Sequence, residues 1–113
     1  MRPTCKKLND IPAINISHGT IQKMVLMSDG ELQNSLTQIA YGIFKPGESC
    51  ELHLHPTMFE YFYFIEGYGN YLIDNQIYEI DPNTFIEIPP DTLHQLSANE
   101  NQELKFIYWG IAI

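Results

Sequence analysis

The stretch GESCELHLHPTMFEYFYFIEG, residues 47–67, decides the fold of this chain. Two of its segments, 51–55 and 59–66, are predicted as β-strands because they are rich in apolar and aromatic residues. Pro56-Thr57-Met58 is predicted to reverse the chain between them. Short apolar segments separated by Gly, Pro, Asn and Asp continue to the end of the sequence. This spacing is typical of an all-β sandwich or barrel.

Outside this stretch, the same patterns predict strands at 36–44, 71–73, 76–80, 84–88, 94–97 and 104–111, with a further candidate at 21–27. No segment carries a sustained helical repeat of apolar residues. A chain of 113 residues is long enough for one hydrophobic core. We therefore predict a single domain over residues 1–113, with 1–34 as an N-terminal strand or arm and 35–113 as the barrel.

The segment 59–65 is apolar on both of its faces. Because side chains alternate along a strand, one face holds Glu60, Phe62 and Phe64, and the other holds Tyr61, Tyr63 and Ile65. The first face can fill the interior of a barrel, but the second needs another layer to cover it. We expect a homodimer that covers this second face. Cover by the first thirty residues of the same chain is an alternative of equal weight.

The charge balance argues against several classes of partner. Fourteen acidic and six basic residues give a formal net charge of -8, which would repel a nucleic acid or an anionic membrane surface. No apolar stretch is long enough for a signal-peptide core or a spanning helix. We therefore expect a cytoplasmic protein that binds neither nucleic acid nor membrane. Cys5 and Cys50 are expected to be free thiols.

Three histidines and one glutamate are candidates for a metal site. His53 and His55 are two residues apart in a predicted strand, so their imidazoles leave the same face, with Cα atoms roughly 6.5 to 7 Å apart. Glu60 lies on the apolar face of the next strand, together with Phe62 and Phe64. Burying an unpaired carboxylate on such a face costs about several kcal/mol of folding free energy. A cation is the simplest partner for it. His94, which follows a Pro-rich turn, can supply a fourth ligand.

These residues resemble the cupin family. Its first motif, G(x)5HxH(x)3-4E(x)6G, is met at every fixed position by Gly47, His53, His55, Glu60 and Gly67. The second motif, G(x)5PxG(x)2H(x)3N, is matched at two positions, and the remaining three are substituted. Pro89 and His94 match, whereas Asn83, Asp91 and Ala98 stand at the positions of the two glycines and the final asparagine. Asn and Asp tolerate positive φ, so the turns can be kept.

The resemblance implies an all-β cupin barrel, also described as a double-stranded β-helix or jelly roll. It assigns His53, His55, Glu60 and His94 as ligands of one divalent metal ion inside that barrel. A site of mixed nitrogen and oxygen ligands suits Fe, Mn, Ni, Co, Cu or Zn, and affinity alone does not choose among them. No catalytic residue and no organic cofactor is assigned.

The expected function is that of a metal-dependent enzyme acting on a small molecule. The metal would serve as a Lewis acid, in an isomerase or lyase, or as a dioxygen centre, on a substrate that carries a carbonyl, enol or carboxylate group. Two alternatives stay open: a non-catalytic cupin that senses or stores a metal or small ligand, and a sugar or sugar-phosphate isomerase or epimerase. The single arginine, Arg2, disfavours a phosphorylated substrate, for which only Lys23, Lys45 and Lys105 remain.

Several other residues are weighed without being assigned. His18 is expected at the surface or at a cap, and Glu51 is expected to be solvated or to reach the same cavity as the histidines. The aromatic residues that could line a pocket or fill the core are Tyr41, Tyr71, Tyr78, Tyr108 and Trp109.

Overall fold

The computed structural model of the chain describes residues 2–16 and 21–113, so the expectation for His18 lies outside the described residues. After a short 3-10 helix, Leu8–Asp10, the described residues form nine strands. They are β1 (Ile14–Asn15), β2 (Gln22–Met27), β3 (Leu36–Phe44), β4 (Met58–Glu66), β5 (Gly69–Ile73), β6 (Gln76–Ile80), β7 (Phe85–Ile88), β8 (His94–Ala98) and β9 (Leu104–Ala112). No described helix is both long and apolar enough to cross a membrane.

The strands form two antiparallel sheets. The larger sheet has the order β1-β2-β3-β9-β4-β7, and the smaller has the order β6-β5-β8. Isolated bridges between Ser49 and Ser97 and between His53 and His94 tie the connection before β4 to the smaller sheet. The prediction of an all-β barrel is confirmed.

The core lies between the inner faces of the two sheets, and the strand parity inferred from the sequence holds there. Glu60, Phe62 and Phe64 of β4 are all buried. The Phe62 ring packs edge-on against Tyr71 of the smaller sheet, with ring centroids 5.2 Å apart. Its other neighbours include Tyr108 of β9, which stacks on it at 5.3 Å. These contacts close the barrel around the face that carries Glu60.

One predicted strand is wrong. The strands predicted at 36–44 and 76–80 have the observed bounds, but 51–55 is not a regular strand and makes only the bridge at His53. That bridge exchanges two backbone hydrogen bonds with His94, of 3.1 and 2.9 Å. The ladder cannot extend through Pro56, which has no backbone N–H to donate. The histidine segment is thus pinned to the smaller sheet at one point.

The outer face of β4 stays largely open within a single chain. Tyr61 stacks between Phe85 and Trp109, but Tyr63 is 37% exposed and Ile65 is 44% exposed. The strands of the first thirty residues do not provide the alternative cover. These strands, β1 and β2, lie beyond β3, and β9 separates β3 from β4.

Candidate metal centre

The four candidate ligands come from three parts of the chain. His53 and His55 lie in the segment between β3 and β4, Glu60 lies near the start of β4, and His94 opens β8. The backbone bridge between His53 and His94 fixes the histidine segment against β8. The hydrogen bond from Asp91 N to His55 O, of 2.9 Å, holds the second histidine beside the turn that leads into β8. Sequence positions forty residues apart are thereby brought to one place.

All four side chains converge at that place. One donor atom from each of His53, His55, Glu60 and His94 lies within 4.8 Å of the other three. Glu60 Oε1 is 3.3 Å from His55 Nε2 and 3.1 Å from His94 Nε2. Glu60 and His94 are 7% and 1% exposed, so the carboxylate stands in an environment with little water.

Backbone carbonyl groups orient two of the imidazoles. The Nδ1 of His53 lies 2.7 Å from the carbonyl oxygen of Glu51, and the Nδ1 of His94 lies 2.8 Å from that of Thr92. A carbonyl oxygen only accepts, so each Nδ1 carries the proton and donates. In a neutral ring, Nε2 then presents its lone pair to the cluster. This arrangement is the usual way in which proteins fix a metal-binding histidine.

The donor set fits a divalent transition metal. In neutral His94, the Nε2 lone pair faces the Glu60 carboxylate at 3.1 Å, so two acceptors oppose each other unless a cation lies between them. Ligand atoms bound to one ion at about 2.1 Å lie about 3 to 3.5 Å from their neighbours. The two distances from Glu60 Oε1 fall in that range. A single ion would therefore satisfy the carboxylate and the imidazoles together.

The turns that frame the site have the backbone conformation that the motif requires. Gly47 and Gly67 have φ of 78° and 91°. Asn83 and Asp91, which replace the glycines of the second motif, have φ of 71° and 58°. The prediction that these two residues keep the turns is confirmed, since Asn and Asp adopt this region more readily than other residues with a side chain.

A cavity of about 230 Å³ opens beside the four residues. Most of its lining is apolar or aromatic, with Phe44, Phe62, Leu96 and Phe106 among the wall residues. Its polar lining, apart from His53, His55 and Glu60, comprises Gln22, Lys23, Gln38, Cys50, Tyr71 and Tyr108. The inward placement of Gln38 and Lys23 was not foreseen from the sequence.

Burial sets the protonation of the groups around this cavity. Desolvation, reinforced by the charge of Glu60, raises the pKa of Tyr71 and of Tyr108 well above the usual range. Both phenols therefore stay protonated at neutral pH and can donate a hydrogen bond to a ligand. Burial also raises the pKa of the Cys50 thiol, against hydrogen bonds that lower it. Cys50 is therefore a poor thiolate nucleophile.

Of the other residues considered in the sequence, some lie outside the cavity and some line it. Glu51 is exposed, and it contributes its carbonyl oxygen to His53 rather than its carboxylate to the site. Of the five aromatic candidates, Tyr71 and Tyr108 line the cavity, whereas Tyr41, Tyr78 and Trp109 are not among its lining residues.

The sequence of the barrel matches a known family over most of its length. Residues 40–110 match the family described as Cupin domain. The chain belongs to the cupin family. This match includes all four candidate ligands, and this cupin is a small single-domain member.

One curated relative matches part of the chain. The cupin is 35% identical to an uncharacterized protein of Methanocaldococcus jannaschii over 69 residues, which are 61% of this chain and 55% of that protein. The chain thus matches about half the length of that curated relative.

Two solved structures share the fold. A protein of Thermotoga maritima, described as a predicted oxalate decarboxylase, has a TM-score of 0.88 at 22% identity, covering 97% of this chain and all of that one. The polyketide cyclase RemF of Streptomyces resistomycificus has a TM-score of 0.83 at 16% identity, covering 97% and 80%. At these identities the likeness concerns the fold alone.

Proposed function

We propose that this cupin binds one divalent transition-metal ion through His53, His55, Glu60 and His94 and acts on a small molecule that carries a carbonyl, enol or carboxylate group. The observation that carries the proposal is the convergence of four donor atoms within 4.8 Å beside a cavity of about 230 Å³. Fe, Mn, Ni, Co, Cu and Zn all suit this donor set.

The chemistry depends on which positions the protein leaves to the substrate. A bound divalent ion would supply Lewis acidity or a dioxygen-binding centre, and the four protein donors leave two positions of an octahedral ion for other ligands. Glu60 lowers the formal charge of the unit from +2 to +1. Tyr71 and Tyr108 line the cavity, and burial keeps both phenols protonated, so each retains an O–H that can donate a hydrogen bond to a substrate oxygen.

The cavity limits the size of the substrate. Its volume is below the range of about 300–1,000 Å³ that is typical of drug-sized ligands. A nucleotide sugar would not fit within it, and among the described lining residues a phosphate would find one lysine and no arginine. A small neutral molecule or carboxylate is therefore favoured over the sugar-phosphate alternative.

The solved neighbours do not select a reaction. One is described as a predicted oxalate decarboxylase and another as a polyketide cyclase, which are different chemistries on one fold. Lyase, isomerase and dioxygenase activities all agree with the site. A non-catalytic binding module remains the second candidate, because the same cavity would hold a small ligand without turning it over.

An experiment separates these functions. The protein is purified without added metal, its metal content is measured, and it is then incubated aerobically and anaerobically with a panel of 2-oxo and 2-hydroxy carboxylates and followed by NMR. Metal-dependent turnover that is lost in Glu60→Gln supports an enzyme. Saturable binding without turnover supports the binding module, and a protein without metal at the four residues contradicts the proposal.

We further propose that the cupin is a cytoplasmic homodimer. The support is the exposed apolar surface on the outer face of the larger sheet, formed by Tyr63, Ile65 and Phe85. Phe85 is paired with Tyr63 across β4 and β7, and its side chain is 55% exposed. A contiguous apolar patch of this kind is typical of a protein interface.

A further inference from the structure

Lys23 is a basic residue on the inner face of the barrel. It lies opposite Gly42 in the pairing of β2 with β3, and it shares strand parity with the buried Ile21. It lines the same cavity as His53, His55 and Glu60. Lys23 is half-buried, and lysine is among the residues least often drawn into an interior. Its position therefore requires an explanation.

The side chain of Lys23 reaches toward the candidate metal centre. Its Nζ donates a hydrogen bond of 2.9 Å to Gln38 Oε1, although Gln38 is four residues along β3 from the position opposite Lys23. Gln38 pairs with Gly110 of β9, and Gly110 pairs with Glu60 of β4. Gln38 and Glu60 are thus two strands apart in one row, about 10 Å between Cα atoms. The side chains of Thr37 and Met58 pack over Gly110 in this row, and Met58 lines the cavity together with Gln38 and Glu60.

The charge of Lys23 is not balanced by a direct ion pair. Over residues 2–16 and 21–113, no carboxylate lies within salt-bridge distance of its Nζ, and its hydrogen-bond partner is a neutral amide. Burial lowers the pKa of Lys23, and the charge of Glu60 opposes that shift. By contrast, Lys6 and Lys105 form ion pairs with Glu31 and Glu66 away from the cavity. Among the described residues that line the cavity, Lys23 is the single lysine, and none is an arginine.

We infer that Lys23 and Gln38 form an anion-binding end of the cavity, and that its ligand is a small dicarboxylate with one carboxylate at the metal and the other at Lys23. This inference rests on the proposed metal site. A divalent ion with Glu60 carries a net charge of +1, and Lys23 adds another, so a dianion neutralises the cavity. A volume of about 230 Å³ is below the range typical of drug-sized ligands and suits a small diacid of about four carbons.

Two ligands of equal carbon count test the inference. Malate and 2-hydroxybutyrate share the 2-hydroxy carboxylate that chelates a metal, but only malate has a second carboxylate. Their binding to the protein loaded with Zn(II), a metal without redox chemistry, is measured by calorimetry. We expect malate to bind at least about tenfold more tightly, the scale of a hydrogen bond to a charged group. Equal affinities, or no binding of malate, would overturn the inference.

Variants assign the effect to Lys23. Lys23→Met is expected to remove the preference for malate and to leave the affinity for 2-hydroxybutyrate within about twofold, whereas Lys23→Arg keeps the charge and the preference. Lys105→Met is the matched control, because Lys105 is paired with Glu66 and is absent from the cavity lining. A preference for malate that survives in Lys23→Met would place the second carboxylate elsewhere.

The zinc content of each variant separates two kinds of failure. Loss of zinc from the parent protein would contradict the metal site itself. A parent that holds one zinc per chain but does not distinguish the two ligands would contradict only the role of Lys23. If Lys23→Met does not fold, the affinity ratio in the parent and in Lys23→Arg still decides the question.

Discussion

Replacing Glu60 with glutamine changes one charge in the centre and almost nothing else. The Glu60 residue is 7% exposed, and its Oε1 lies 3.1 and 3.3 Å from two imidazole nitrogens. A glutamine at this position keeps the volume of the side chain but removes its negative charge. If Glu60 is a ligand, metal affinity should drop at least tenfold, since even residues behind the ligands contribute about 10- to 100-fold. A histidine-to-alanine change would be harder to interpret, because it also leaves a cavity.

The stability change follows from mass action. At a free metal concentration of about 100 times Kd, binding stabilises the parent by about 2.7 kcal/mol. A tenfold weaker site at the same concentration contributes about 1.4 kcal/mol, so the variant loses about 1.3 kcal/mol. For a domain of this size, the melting temperature falls by about 4 to 6 °C. After chelation, removing a buried carboxylate should leave the fold as stable as the parent or more so.

The assay is calorimetric melting at pH 8 of parent and variant, each with saturating and with chelated metal. Glu51→Gln is the matched control, since Glu51 is an exposed carboxylate in the same segment, and it should behave as the parent does. Glu60→Gln is expected to melt below the parent with metal present and at or above the parent after chelation. A variant that keeps its full metal content and melts above the parent with metal present would remove Glu60 from the site and leave a three-histidine centre.

Three further predictions concern the fold and the assembly. Gly67→Ala should lower the free energy of unfolding by about 1 to 3 kcal/mol in chemical denaturation, because φ is 91° and a Cβ would collide with the carbonyl oxygen of Glu103. Gly30→Ala is the control and should be nearly neutral, because the space around Gly30 is open. Equal effects of the two substitutions would contradict this account. Burial raises the folded-state pKa of Tyr71, so the free energy of unfolding should fall as pH rises above the unfolded-state pKa of about 10. In Tyr71→Phe this fall should be shallower by up to about 1.4 kcal/mol per pH unit. An unchanged slope in alkaline denaturation would exclude a contribution of Tyr71 to the pH dependence. Light scattering should show that the parent protein is a dimer and that the double variant Ile65→Lys/Phe85→Lys is a monomer. A parent protein that is monomeric at micromolar concentration would contradict the dimer.

The sequence predicted the candidate site better than the elements that hold it. The four candidate ligands could be named because fixed spacings encode them, and the structure brings their donor atoms together. Asn83 and Asp91 could be expected to replace glycine because the conformational preference is local. The segment 51–55 was predicted as a strand because its apolar pattern does not show that Pro56 ends the pairing after a single bridge. Local pattern thus specifies parity, but not how far a ladder extends.

The role of Lys23 depends on contacts that are distant in sequence. Its inward direction is set by the register of β2 on β3, which shifts between Val25 and Met27. The neighbouring residues of β2 are partly buried on both faces, so their alternation does not mark an inner side. Similarly, the sequence predicted that the face of β4 carrying Tyr61, Tyr63 and Ile65 is covered by another layer. Only the sheet order shows that β1 and β2 lie too far away to cover it.

The central claim is that one divalent metal ion lies among His53, His55, Glu60 and His94. Anomalous scattering from a crystal of the protein purified without added metal tests it most directly, because the absorption edge identifies the element and the map locates it. We predict one peak per chain, about 2.0 to 2.3 Å from a nitrogen of each histidine and an oxygen of Glu60. Full-occupancy density for a metal bound elsewhere, or a cluster that stays without a peak after soaking in Zn(II), would contradict the account.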